Sequence, residues 1–207
     1  MLIPSPYKDY PPSWDIFDYY ASVASPNYFN LFSSTGDINR FAARYRLAKC
    51  FQGMILESIT PSTANGYSAL CRVLLVWSAF EYFLKAINVR QADLASLLSS
   101  YNTQDWIDGI HQADADDKFY RFIYKHVNKA HKKELDNYFG NDPCNVTYLA
   151  SAIRHLFAHG VLTPNANKAE PENVVAICDV LYDALVSVMD KEFSERMLEF
   201  KRMVTAP

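Results

Sequence analysis

In the last third of the sequence an arginine and a histidine stand five positions apart, in the stretch RHLFAHG that ends at Gly160. The charge of a histidine side chain changes near neutral pH, so His159 suits the role of base or acid in a proton transfer. Arg154 is a permanent cation whose planar fork of donors fits the oxygens of a phosphate group. His155 lies beside them in sequence and supports the same chemistry. These residues indicate a site that acts on a phosphate ester.

A metal site is the alternative interpretation of the same stretch. His155 and His159 form an HxxxH pair, a spacing that can hold a metal ion. No HExxH arrangement and no obvious third ligand accompanies the pair, so we expect neither a metal nor another cofactor. The sequence also has no glycine-rich phosphate loop, no GxSxG elbow and no CxxC pair, which excludes the enzyme classes that depend on them.

A second feature is a run of positive charge in a chain whose formal net charge is −3. Between positions 118 and 133 there are two histidines, no acidic residue and six basic residues: Lys118, Arg121, Lys125, Lys129, Lys132 and Lys133. On one continuous helix the first five fall within about 80° of each other, and His126 points toward the core. Such a stripe suits the phosphate backbone of RNA, because each neutralised phosphate releases a counterion. The alternative is an ordinary solvated helix face.

The hydrophobic pattern predicts an all-α protein. Apolar residues recur at helical spacing over 37–59, 67–88, 91–100, 103–110, 117–138, 145–159 and 170–203. The segment 60–62 is expected to end the first of these helices. The second is apolar on nearly all sides, which is typical of a central helix. Its polar stripe includes Glu81, which either orients Arg154 or pairs with Lys85.

The predicted helix over 145–159 carries the arginine and the histidine at its C-terminal end. Asn145 can cap its first turn, and Gly160 is expected in the left-handed conformation just past its last turn. On an ideal helix the side chains of Arg154 and His159 diverge by about 140°. One copy of the chain is therefore expected to be a poor clamp for a phosphate.

The N-terminal segment differs from the rest of the chain. Five of the ten prolines lie in the first 26 residues, and nine aromatic residues precede position 33. We interpret residues 1–36 as an irregular arm laid over a bundle of residues 37–207, with a short helix near 14–21. The alternative is a disordered tail. With 50% hydrophobic and 21% charged residues in 207, the chain is long and apolar enough for a packed core.

Composition also bears on the compartment. No apolar run approaches the roughly 20 residues that cross a bilayer, and the first residues lack the pattern of a secretion signal. The four cysteines are widely spaced, so reduced thiols are expected rather than a disulfide framework. These features predict a cytoplasmic protein that does not contact a membrane.

The stretch from Arg154 to Gly160 resembles the motif of the HEPN superfamily, whose ribonucleases carry R-x(4–6)-H with a polar residue after the arginine and often a small residue before the histidine. The segment 78–85 is similar to an earlier core helix of that family, which often has a glutamate where this chain has Glu81. The resemblance covers roughly residues 64–190. Position 161 is valine where one subgroup has tyrosine, so the control of that subgroup by tyrosine modification is not implied.

The resemblance implies a four-helix up-and-down core with added helices, and metal-independent cleavage of RNA through attack by the 2′-hydroxyl group. It implies a toxin or defence protein that acts as a homodimer, in which the motifs of two chains line one cleft. Leu156, Phe157 and the aromatic arm are candidates for the dimer interface. A small protein partner such as an antitoxin is also consistent with it.

Two other functions stay open. Arg121 and His126 have the same spacing as Arg154 and His159, so the spacing alone has little specificity. A HEPN-like bundle without catalysis could bind RNA or a partner protein through the basic stripe. A plain helical interaction protein could contain both spacings by accident.

Overall fold

The computed structural model describes residues 6–206, so the first five residues of the predicted arm lie outside it. Within that range there are α-helices and short 3₁₀ turns and no β-strand, which confirms the predicted all-α class. The helices are α1 (Trp14–Tyr20), α2 (Thr35–Cys50), α3 (Pro61–Ala86), α4 (Ala95–Leu98), α5 (Thr103–Ala113), α6 (Lys118–His126), α7 (Lys129–Gly140), α8 (Val146–Ala158) and α9 (Pro171–Thr205).

Helix α3 lies at the centre of the molecule and packs against α2, α8 and α9. Its side chains Leu70, Val73, Val76, Phe80 and Phe83 are all fully buried. Because these residues occupy more than one face of α3, neighbouring helices must cover it on several sides. The expectation of a central helix in this part of the sequence is confirmed.

Helix α3 is also long and apolar enough to meet the length and composition of a membrane span, with a mean hydropathy of 1.2 over its most apolar window. The sequence analysis expected no such segment. Half of that window is buried against other parts of the chain. Buried core helices and membrane spans share these properties.

The proline-rich segment before α2 lies against the last helix. The Trp14 ring of α1 stacks on Phe193 with centroids 5.5 Å apart, and Phe29 contacts Phe200 at 4.2 Å. Trp14 and Phe29 are buried by these contacts. Each buried ring removes a large apolar area from water, which offsets the entropy lost in ordering an irregular segment.

The predicted boundary between the first two long helices is wrong. Helix α2 ends at Cys50 rather than at 59, and Ile55, which the helical pattern included, is 99% exposed in the following loop. The segment 60–62 begins α3 instead of ending α2, because the Thr60 side chain accepts a hydrogen bond from the backbone N–H of Thr63 and Pro61 occupies the first helical position. A proline there has no hydrogen bond to lose.

The predicted helix over 117–138 is two helices, α6 and α7, separated by Val127 and Asn128. The Asn128 side chain accepts hydrogen bonds from the backbone N–H groups of Ala130 and His131, which starts a new helix at that point. Asparagine competes with the helical hydrogen bonds in this way more strongly than most residues. As a result His126, expected near the core, is exposed at the end of α6.

A buried carboxylate anchors the start of α6. The two oxygens of Asp114 accept hydrogen bonds from the backbone N–H groups of Phe119 and Tyr120, both at 3.0 Å. Burial raises the pKa of Asp114, and the two backbone hydrogen bonds oppose that shift. The segment 91–100, expected as one helix, is a 3₁₀ turn (Gln91–Asp93) followed by α4. Both features set the position of the short helices beside α8.

We expect the Gly66→Ala variant to be less stable than the parent by about 1–2 kcal/mol. An added Cβ would lie 2.5 Å from Cβ of Pro164, in the loop that follows α8. Alanine normally stabilises a helix by up to about 1 kcal/mol relative to glycine, but overpacking against a rigid proline costs about 1–3 kcal/mol. The measurement is the free energy of unfolding from urea titration.

Gly36→Ala is the matched control for that substitution. Gly36 lies in the first turn of α2, where the nearest atom to an added Cβ is the Ser34 oxygen at 3.8 Å. This variant is expected to be as stable as the parent or more stable by up to about 1 kcal/mol. Equal effects of the two substitutions would contradict the close packing of the loop on α3.

Candidate active site

Helix α8 forms as the sequence predicts and carries the candidate residues at its last turn. The Asn145 side chain accepts a hydrogen bond from the backbone N–H of Thr147, and Gly160 has a φ of 71° just past the helix end. Buried residues such as Leu149 and Ile153 hold α8 against the core. His159 is the C-terminal cap and is exposed to solvent.

Arg154 faces the central helix. Its Nη2 donates a hydrogen bond to Glu81 Oε2 at 3.3 Å, and the two side chains are 36% and 45% exposed. The alternative pairing of Glu81 with Lys85 is absent, since Lys85 instead bonds Asp37 at 2.9 Å. A half-exposed pair of this kind contributes about 0–1 kcal/mol to stability. Its main consequence is to hold the guanidinium group over α3, where a phosphate can compete for it.

His155 and His159 lie one turn apart on another face of α8. Their ring centroids are 4.7 Å apart, with the planes at 68°. Two imidazoles at this distance supply a proton acceptor and a proton donor for one reaction. His155 is half-buried and His159 exposed, so a ligand reaches the second ring directly.

His131 of α7 joins this pair and was not identified in the sequence. Its ring centroid is 6.5 Å from that of His155. Its Nδ1 lies 3.0 Å from Asn128 Oδ1, and its Nε2 lies 2.9 Å from Ser151 Oγ. The Asn128 oxygen also accepts two backbone hydrogen bonds, so it must accept from Nδ1–H as well. Both nitrogens of His131 are thus engaged, and His131 positions the site rather than transferring a proton.

A polar network holds the wall between α7 and α8. The Gln91 amide donates to Thr147 Oγ1 at 3.3 Å and to Ser151 Oγ at 3.0 Å, while the Asn145 amide donates to the Gln91 carbonyl. Ser151 in turn contacts His131. Interlocked hydrogen bonds of this kind restrict the side-chain rotamers of the residues that they connect.

Burial, and secondarily the nearby His155, lower the pKa of His131 below its usual 6.5. The neutral form of His131 is therefore favoured in the folded protein. Between the folded pKa and 6.5 the unfolded chain binds more protons than the folded chain, so stability rises with pH across this window. At neutral pH the ring adds no positive charge beside His155.

The stability of the parent is therefore expected to fall as the pH is lowered from about 7.5 to about 5, and this loss is expected to be smaller in a His131→Gln variant. Glutamine removes the titrating ring while keeping a polar side chain beside Asn128 and Ser151. The measurement is the free energy of unfolding at several pH values. Parallel profiles for the two proteins across this range would contradict a lowered pKa.

Arg154 and His159 do not contact each other in the part of the chain that the structure describes. Arg154 bonds Glu81 of α3, whereas His159 contacts His155 on the side that leads to α7. This separation agrees with the divergence expected on an ideal helix. Leu156, a candidate for a dimer interface, is buried in the core and is unsuitable; Phe157 beside it is half-buried against Tyr67.

The basic residues do not form one straight stripe, because α6 and α7 are separate helices. Lys118 and Arg121 are paired with Asp116 and Asp117, which directly precede α6. The other four basic residues make no ion pair with any carboxylate of residues 6–206: Lys125, Lys129, Lys132 and Lys133. The free positive charge is therefore concentrated at the end of α6 and on α7.

A metal-binding group is absent among the described side chains: no three His, Cys, Asp or Glu residues are placed to hold a metal ion. Comparison with family models, with curated proteins and with solved structures finds no match for this chain.

Proposed function

We propose that this chain is a metal-independent endoribonuclease of the HEPN type that cleaves RNA as a homodimer. The observation that supports this most is the end of α8, where Arg154 is held by Glu81 and the exposed His159 lies against a second imidazole. The proposal also assigns a four-helix HEPN-like core to the bundle around α3, α8 and α9. It uses no cofactor.

In the proposed reaction an imidazole of the His155–His159 pair takes the proton of the ribose 2′-hydroxyl group. The 2′-oxygen then attacks the neighbouring phosphorus, the bond from phosphorus to the 5′-oxygen breaks, and an imidazolium returns a proton to that oxygen. The products are a 2′,3′-cyclic phosphate and a 5′-hydroxyl group. The guanidinium group of Arg154 stabilises the negative charge that builds up on the phosphate oxygens.

The proposal requires two chains. In one copy Arg154 lies over α3 and His159 lies on the side toward α7. A two-fold axis beside the C-terminal end of α8 brings Arg154 of one copy near His159 of the partner subunit, and the reverse. Both catalytic groups then face one phosphate.

Binding without cleavage is the second candidate function. It is favoured by the four basic residues that lack an acidic partner among the described residues, since unpaired cations are available to phosphates. A protein partner, such as an antitoxin, would in either case cover the exposed end of α8. The toxin or defence function and a cytoplasmic location belong to the proposal.

Cleavage of labelled single-stranded RNA by the purified protein in EDTA tests the main proposal. Cleavage that continues in EDTA and yields cyclic phosphate ends supports the endoribonuclease. Binding without cleavage, with a salt dependence that weakens by roughly 0.7 per lost contact when Lys125, Lys129 and Lys132 are changed to Gln, supports the second function. The matched control is Lys118→Gln with Arg121→Gln, because these two cations already have acidic partners.

A further inference from the structure

A groove of about 600 Å³ lies between α7, the start of α8 and the segment around α4. Its volume is within the range of sites that hold small organic ligands. The polar and aromatic side chains that line it are Tyr101, Lys133, Glu134, Asn137, Cys144 and Tyr148. Nothing in the catalytic proposal uses this groove, which we call the Tyr148 groove.

The Tyr148 groove adjoins the histidine cluster. The ring of Tyr148, in the wall of the groove, is 5.5 Å from the ring of His131. Ala130, which precedes His131, lines the groove as well. His131 in turn faces His155. A chain of nucleotides that passes the histidines therefore meets the groove within a short distance.

The side chains of the groove match the parts of a nucleotide. An aromatic ring stabilises an unpaired base by stacking, and Lys133, which has no acidic partner within residues 6–206, suits a phosphate oxygen. The Glu134 carboxylate accepts a hydrogen bond from the Asn145 backbone N–H at 2.9 Å, which fixes its position while leaving its other oxygen as an acceptor. The groove thus offers a stacking surface, a cation and a fixed acceptor.

A fixed carboxylate discriminates among bases. Guanine presents an imino N–H and an amino group side by side on one edge, and these two donors suit a carboxylate. Uracil has one imino N–H between two carbonyl oxygens, which a carboxylate repels. Accordingly, we propose that the Tyr148 groove binds a guanine base of the RNA beside the phosphate that is cleaved. The inference rests on the proposed function and names its substrate preference.

Binding of labelled hexanucleotides, followed by fluorescence anisotropy in a His159→Ala background, tests this inference without cleavage during the measurement. One probe is oligouridine with a single guanine, and the second has inosine at that position, which lacks only the amino group. We expect the guanine probe to bind roughly 10-fold more tightly than the inosine probe. Glu134→Gln is expected to remove that difference, because the amide keeps the bond to Asn145 but loses the charge.

Tyr148→Ala is expected to weaken binding of both probes by roughly 10-fold to 100-fold, and Tyr148→Phe to retain it, because the ring supplies the stacking surface. Glu57→Gln, in the exposed loop before α3, is the control for loss of one acidic charge. Equal affinity for guanine and inosine in the parent, or no RNA binding, overturns the inference. Cleavage in EDTA without base discrimination leaves the endoribonuclease standing and rejects the groove; discrimination without cleavage does the reverse.

Discussion

The His159→Ala variant is expected to cleave RNA at least roughly 100-fold more slowly than the parent, since a positioned acid or base contributes about 10²–10⁴-fold. The side chain is exposed at the end of α8 and buries no apolar surface, so the bundle is expected to remain folded. Cleavage rates in EDTA, with thermal melts to check folding, provide the measurement. Arg154→Lys is expected to lose most of the activity too, because an ammonium group lacks the two-pronged fork.

The matched control for this prediction is His126→Ala. His126 has the same spacing from Arg121 as His159 has from Arg154, and it is likewise exposed at the end of a helix. If His126→Ala slows cleavage as much as His159→Ala does, or if His159→Ala cleaves at the parent rate, the catalytic assignment is wrong.

A dimer that combines one Arg154→Ala chain with one His159→Ala chain is expected to regain about half of the parent activity, although neither variant is active alone. In a two-fold dimer each phosphate site takes Arg154 from one copy and His159 from the partner subunit. Mixing the variants restores one complete pair of the two, whereas each homodimer lacks one member of both pairs. The arrangement follows from the separation of Arg154 and His159 on different sides of α8.

Co-expression with two affinity tags isolates the mixed dimer, and the cleavage rate of each species is then compared. A mixed dimer as inactive as its parents would show that each chain uses its own arginine and histidine. A strictly monomeric parent that cleaves RNA would also contradict the two-chain site.

Short-range features of this chain were predictable because the atoms that decide them lie within one turn of each other. The start of α8 at Asn145 and its end at Gly160 each depend on hydrogen bonds or backbone angles within a few residues. The same holds for Pro171 at the first position of α9. The all-helical class follows from the long apolar periodicity of these segments.

Helix boundaries failed where two local signals compete. Asn128 is compatible with a helix interior by pattern, but its side chain caps a new helix instead, and burial of Val127 at the break supports that outcome. Thr60 and Pro61 are equally good at ending and at starting a helix, and the tertiary packing of the first turn of α3 decides between them.

The contacts that make up the candidate site lie beyond any local rule. The sequence by itself determined which residue types have the required chemistry, Arg154 and His159, and placed them at the end of one helix. Only the tertiary structure decided that Arg154 meets Glu81, 73 positions away, and that His131 reaches Ser151 across 20 positions. The packing of α3 and α7 against α8 sets these distances, because residues remote in sequence meet only where whole helices are pressed together by the burial of apolar faces.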